Sequence, residues 1–475
     1  MKQHLTITQA RTLLDTKEVT ALQLAEQYLE KIEKENPNLN AYLGVYESVR
    51  ELAKEADKKI SSGDATTLTG IPLAVKDVIL VNGEHASGSS KILENYVATY
   101  DATAIAKLRA EGAVFLGRTN CDEFAMGASN ENSAYGPVKN PHDITRVPGG
   151  SGGGSAAAVA ADLCVAALGS DTGGSIRQPA SHTGIVGLKP TYGRVSRYGL
   201  MALASSLDQI GPTTKTVADA KIIFDCLVGI DPHDSTTRMG TISEGRKVIG
   251  VPYDLIGNHL DVRVRAVFDK NIEILKNLGY EIKDISLPHV EYGIAAYYII
   301  LPAEASANLA RYDGVRYGLH KDGTSGIEDY LATRGAGFGK EVRRRIILGT
   351  YVLSAGYYDS YYGQALKARD LISRDFESAF KDVSAICMPT TSGPAFKIGE
   401  KSSDPIKMYL EDLFTIPANL AGIPAINIPS GTIEEDGTKL PLGVQLIAPA
   451  FGEERLFEIA QELETALNFS LKPSS

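Results

Sequence analysis

Tryptophan is absent from the chain, and cysteine occurs only at positions 121, 164, 226 and 387. Cysteines so far apart form no CxxC pair and no metal-ligand cluster. That excludes thioredoxin-like chemistry and zinc sites, and four reduced thiols are expected. Long apolar runs are also missing. The longest, Ala156 to Leu168, contains Asp162 and is shorter than the roughly 20 residues a spanning helix needs. The N-terminal MKQHLTITQA has no apolar signal-peptide core, so a cytoplasmic protein without membrane contact is expected. Positive charge is scarce too: 48 Lys and Arg face 58 Asp and Glu, a net charge of −10. Phosphate binding wants clustered cations, so a dominant nucleic-acid face on this chain alone is excluded, although a basic partner is not. A phosphate loop of the form GxxxxGK[ST] does not occur, and GxGxxG fails because position 155 is serine.

What is present is ample apolar content, 43%, in an alternation of strand-like and helix-like segments. Residues 8–36 carry helical periodicity. Thr20 is the cap of a helix with Leu24, Tyr28, Leu29 and Ile32 on one face, and Asn36-Pro37 is its expected end. A surface helix is expected over 47–60. Ile71–Val75 and Val78–Val81 read as buried strands around Lys76-Asp77, followed by a helix over 101–111 and a strand at 114–116. Residues 127–155 read as loop, 155–161 as a small-residue helix, 163–168 as a buried strand and 169–193 as Gly-rich loop. Further strands are expected at 248–251, 425–428 and 444–447, with helices through much of 262–380. Segments 230–245 and 395–408 look like loop excursions rather than borders. This rhythm predicts an α/β fold: one large domain over 1–475 with a mixed β-sheet core covered by helices.

The chemistry is concentrated in two Gly-rich stretches, Pro148 to Ser155 and Gly169 to Arg177. Glycine clusters let the backbone approach a ligand closely, and they cost folding entropy. Backbone N–H groups along Thr172, Gly173, Gly174 and Ser175 would form an oxyanion hole beside a nucleophile at Ser175, worth about 3–4 kcal/mol per donor in the transition state. Residues 149–153 also match GxSxG, but Pro141 and Pro148 discourage the strand which that elbow requires. His182, His233, His259, His289 and His320 are available, but none has a comparable Gly-rich setting. A buried lysine is the alternative base, because desolvation lowers its pKa. Lys76, at the end of an apolar run, is the candidate.

Ala74-Val75-Lys76-Asp77, the GGSGGGSAAAVAA block at 149–161 and GSDTGGSIRQPAS at 169–181 resemble the amidase signature family, with the signature core at about 70–212. The spacing of Lys76, Ser151 and Ser175 agrees with that family's triad. The resemblance makes Ser175 the acyl-forming nucleophile, Ser151 the bridging serine that follows a cis peptide, and Lys76 the base. One departure is Gly152, where the family usually has serine. His142 and His182 stand where aromatic residues are expected. Residues 122–127, 191–212, 343–362 and 414–422 are similar to one branch of the family, the glutaminase subunits of tRNA-dependent amidotransferases. The branch implies glutamine as substrate, with Arg345 gripping its carboxylate, Asp412 its ammonium, and one of Tyr297 and Tyr298 lining the pocket; of the two, Tyr297 is expected there. It also implies a heterotrimer with B and C subunits. The B partner would bind ATP and Mg2+ and most of the tRNA, and would amidate Glu-tRNA(Gln) to Gln-tRNA(Gln). No metal and no cofactor are expected in this chain. A stand-alone amidase and a non-enzymatic scaffold protein are the rival readings.

Overall fold

Among the described residues eleven strands join in one mixed sheet: β1 (Tyr42–Val45), β2 (Pro72–Lys76), β3 (Val114–Thr119), β4 (Ala166–Asp171), β5 (Val186–Lys189), β6 (Gln209–Thr214), β7 (Val248–Val251), β8 (Glu281–Asp284), β9 (Ala385–Pro389), β10 (Ala425–Glu435) and β11 (Thr438–Ile447). Their order across the sheet is β1-β3-β2-β4-β6-β5-β10-β11-β9-β7-β8. Strands β3, β2 and β4 are mutually parallel at one end, β9, β7 and β8 at the other, and antiparallel pairing joins the two groups. The computed structural model describes residues 4–242, 245–257, 260–402 and 404–473. His259 and positions 243 and 244 of the 230–245 loop lie outside the described residues.

Helices cover both faces of the central strands, so β2, β4, β5, β6 and β9 are buried along their whole length. This is why β2 and β9 are largely unbroken apolar runs rather than alternating ones. The expected α/β architecture with a mixed sheet and helical covering is what the chain adopts. The helices through the second half are Val262–Asn277, Gly293–Asn308, Gly326–Gly337, Lys340–Val352 and Gly363–Ala379.

Three local expectations are corrected. The helix capped by Thr20 runs through Pro37 to Leu39 and stops at Asn40, which takes a left-handed conformation (φ 55°) while its N–H donates to the Asn36 carbonyl. Pro37 lacks the N–H that would bond to the carbonyl one turn earlier, and the helix ends within three residues of it. Val78–Val81 is a buried turn. Ile79 N–H folds back on the Lys76 carbonyl and Leu80 N–H pairs with Gly199, so burial rather than strand pairing explains its apolar character. Residues 169–193 are not a continuous loop. Strand β4 extends to Asp171, a helix spans Arg177–Thr183 and β5 follows.

Candidate active site

Lys76 ends β2 and Ser170 lies near the end of the neighbouring parallel strand β4, so both project at the carboxyl edge of the sheet, where α/β folds place ligands. Lys76 is completely buried. Its Nζ lies 2.8 Å from Ser151 Oγ, 3.0 Å from Ser170 Oγ and 3.3 Å from the Ser170 carbonyl. Burial pushes its pKa below the ordinary lysine value, partly opposed by Cys121, Asp122, Asp171 and Asp208. A buried lysine that shares its proton with serine hydroxyls is equipped to act as a base.

Ser151 follows a cis Gly150–Ser151 peptide. Gln178 clamps this corner: its Oε1 accepts from Gly150 N–H at 2.9 Å and its Nε2 donates to the Ala128 carbonyl at 2.9 Å. Gly152 N–H donates to the Ser175 carbonyl at 3.1 Å, and a Cβ at 152 would lie 2.6 Å from that oxygen. The residue that departs from the family pattern therefore lies directly against the nucleophile loop. Ser175 is 7% exposed.

The loop 172–175 is shaped by Asp171, which sequence reasoning missed. Its carboxylate accepts from Gly174 N–H at 2.8 Å, from Ile176 N–H at 3.3 Å and from Arg177 Nε and Nη2 at 3.0 and 3.1 Å. Arg177 in turn donates to Gln445 Oε1, the Thr415 carbonyl and Asn419 Oδ1. Burial works to raise the Asp171 pKa, but the Arg177 charge and hydrogen bonds outweigh it and bring it down to about 2. This corrects the expected oxyanion hole. The Gly174 N–H is already committed to Asp171, whereas those of Thr172, Gly173 and Ser175 have no partner among the described residues. Thr172 directs its hydroxyl to Asp208 at 2.8 Å.

The glycines here make room for neighbours. Gly174 has φ 139°, and a Cβ on it would lie 2.2 Å from Thr415 Oγ1; one on Gly173 would lie 2.4 Å from the Tyr297 hydroxyl. Tyr297 thus overlies the nucleophile loop, while its neighbour Tyr298 reaches the other way. The Tyr298 hydroxyl donates to Asp412 Oδ2 at 3.3 Å, its ring stacks on Tyr409 at 3.7 Å, and Arg345 lies over it at 5.4 Å. The two tyrosine rings meet edge to face at 5.0 Å. One helix, Gly293–Asn308, therefore brings the expected Arg345 and Asp412 beside the loop carrying Ser175. Of the two tyrosines, Tyr297 contacts the nucleophile loop and Tyr298 contacts both Asp412 and Arg345.

Arg345 is 4% exposed and donates through Nε to Glu341 at 2.9 Å. Its two terminal nitrogens have no partner among the described residues. Burial pushes Asp412 well above the ordinary carboxylate range, Glu411 adds to this, and Arg345 opposes it. His182, one of the sequence candidates, is buried with both ring nitrogens unpartnered, and burial lowers its pKa to about 3. His142 is also buried and its Nε2 contacts the Thr183 carbonyl at 3.0 Å. Among the described residues no cluster of three or more His, Cys, Asp or Glu is arranged to hold a metal ion, and no helix is long and apolar enough to cross a membrane.

Residues 23–457 match the family model described as Amidase. The chain is 51% identical over 481 residues to the glutamyl-tRNA(Gln) amidotransferase A subunit of Desulfatibacillum aliphaticivorans, covering 98% of each chain. It is 52% identical over 477 residues to the protein of the same name from Koribacter versatilis, again with 98% of each covered. The crystal structure of the corresponding amidotransferase protein from Thermotoga maritima superposes with a TM-score of 0.80 at 40% identity, covering 99% of this chain and 98% of that one. With its buried lysine–serine pair, its Gly-rich nucleophile loop and these relatives, the chain belongs to the amidase family.

Proposed function

We propose that this chain is the glutamine-hydrolysing component of a glutamyl-tRNA(Gln) amidotransferase, with Lys76, Ser151 and Ser175 as its catalytic residues. The observation that carries the chemistry is the 2.8 Å pair between the buried Lys76 Nζ and Ser151 Oγ. The substrate is supported by the Arg345 and Asp412 pair beside the nucleophile loop, and the assembly by relatives whose names make them parts of a larger enzyme. Free glutamine carries one carboxylate and one ammonium; Arg345 suits the first, and the second would draw buried Asp412 to its ionised form and be held by it.

Neutral Lys76 takes a proton from Ser151 as Ser151 takes the proton of Ser175. Ser175 Oγ then attacks the side-chain amide carbon of glutamine. The N–H groups of Gly173 and Ser175 hold the developing oxyanion, while Asp171 keeps the loop in place. When the tetrahedral intermediate collapses, the C–N bond breaks and the relay returns a proton to the departing ammonia. Water attacks the glutamyl ester by the reverse relay and releases glutamate. This route uses only side chains, backbone amides and water. The ammonia passes to the B partner, which binds ATP and Mg2+, carries most of the tRNA contact and amidates Glu-tRNA(Gln); the C partner completes a heterotrimer in the cytoplasm. The acidic balance of this chain, −10 overall, is in keeping with tRNA binding elsewhere.

The test is ammonia release from glutamine by the chain alone and with its B and C partners, with Ser175→Ala as control. Release that requires Ser175 and rises in the complex is expected. Glutamine left intact in both settings while simple amides are cleaved would leave an amidase and remove the amidotransferase role.

A further inference from the structure

Ser129 has a buried hydroxyl. The residue is 1% exposed and its Oγ has no hydrogen-bond partner among the described residues. A buried hydroxyl left unpaired costs folding free energy, and native proteins retain few of them. This one lines a cavity together with Tyr298, Arg345 and Tyr409.

The segment that carries Ser129 is fixed to the nucleophile corner. The Asp122 carboxylate accepts from Asn130 N–H at 2.9 Å and Asn132 N–H at 3.0 Å. Gln178 bridges the Ala128 carbonyl to Gly150, and a Cβ on Gly150 would lie 2.5 Å from Ser129 N. Ser129 is therefore packed against the residue before Ser151 and faces the cavity that holds Arg345. The cavity wall carries Lys340, Arg344, Arg345 and Lys401 against Glu131 and Glu341, with Glu411 pairing Lys401 from behind the wall, which leaves four cations to three carboxylates. That balance favours an anionic group inside it. Arg345 spends only Nε on Glu341, and a carboxylate has about four lone-pair sites, more than one guanidinium fork fills.

We infer that Ser129 is a specificity-determining residue whose hydroxyl donates to the α-carboxylate of glutamine beside Arg345. The inference rests on the glutaminase reading above. Two truncated substrates separate the contributions: glutaramic acid keeps the carboxylate and lacks the ammonium, and 4-aminobutanamide does the reverse.

Ammonia release from glutamine, glutaramic acid and 4-aminobutanamide is measured for the full chain in complex with its partners, as wild type, Ser129→Ala and Ser129→Thr. In Ser129→Ala, KM should rise about tenfold for glutamine and glutaramic acid, as befits a hydrogen bond to a charged group. The rise for 4-aminobutanamide should be several-fold smaller. Ser129→Thr retains the donor and should recover most of the loss. Should Ser129→Ala fail to fold, the Ser129→Thr and Ser129→Cys pair makes the same comparison with and without a strong donor. Equal losses on all three substrates, a loss confined to kcat, or no loss would overturn the inference. If wild type leaves glutamine intact, the glutaminase reading has failed; Ser129 then stands only if wild type cleaves glutaramic acid and Ser129→Ala raises its KM selectively, and falls otherwise.

Discussion

The two halves of the site are built on opposite principles. At the nucleophile corner, Lys76, Ser170, Asp171, Arg177 and Gln178 are buried and hydrogen-bonded to one another or to neighbouring backbone and side chains. At the recognition end, the Arg345 terminal nitrogens and the Ser129 hydroxyl have no partner among the described residues, and Asp412 is driven toward its neutral form by burial. The first region is paired as it folds, apart from the N–H groups of the nucleophile loop that face the reacting carbonyl. The second is left polar and unpaired, and a zwitterionic ligand would satisfy it. The contrast teaches that chemistry is held by strand ends and tightly satisfied networks, whereas selectivity is held by helices that keep unsatisfied donors around a cavity.

The largest effect should come from the completed region. Ser175→Ala and Lys76→Met should each lower kcat by about 10^4-fold or more, with thermal midpoints close to wild type, as read by ammonia release and calorimetry. In wild type the rate should rise with pH through a single deprotonation below the ordinary lysine value, since burial favours neutral Lys76, and should level off above it. A rate that falls over that range would remove Lys76 as the base.

Asp171→Ala should come next. It leaves Arg177 as an uncompensated buried charge, which costs about 3–5 kcal/mol, measurable by denaturant unfolding. The sign with pH follows from a folded pKa depressed to about 2. The stability from Asp171 is fully present above the unfolded value of about 3.9 and is lost as pH falls through 2. An acid limb unchanged in Asp171→Ala would show that the pair does not stabilise the loop.

At the recognition end the effects should be smaller and selective. Arg345→Ala should raise KM for glutamine by roughly 10- to 100-fold, the range for hydrogen bonds to a charged group, and should affect 4-aminobutanamide much less. Equal effects on both substrates would remove Arg345 from the carboxylate. Tyr298→Phe deletes one long bond to Asp412 and should raise KM by about fivefold at most, near the 1 kcal/mol of a typical hydrogen bond. A larger effect would give Tyr298 a direct contact with the substrate.

How much of this was legible in the sequence follows the same division. The α/β class and the placing of Lys76 and Ser175 were readable because apolar runs and Gly-rich motifs are local. Ser151, Arg345 and Asp412 rested on resemblance, because nothing in their neighbourhoods announces a role. Asp171 was passed over within the motif itself: its function depends on Arg177, which is anchored by Thr415, Asn419 and Gln445 from more than 200 residues away. For the same reason the Gly174 N–H was misassigned, since only the fold shows it bonded to Asp171. Strand β6, with the sequence QIGPTT, has too much Gly, Pro and Thr to read as a strand, yet it is held between β4 and β5. Ser129 sits in a polar loop where one more serine carries no signal until its burial is known.

The most direct test of the chemistry is to quench the wild-type protein during turnover of glutamine and locate the glutamyl group by peptide mass spectrometry. The expected result is an ester on Ser175 that disappears in Ser175→Ala. A glutamyl adduct on another residue, or ammonia release at the wild-type rate in Ser175→Ala, would contradict the role assigned to Lys76, Ser151 and Ser175.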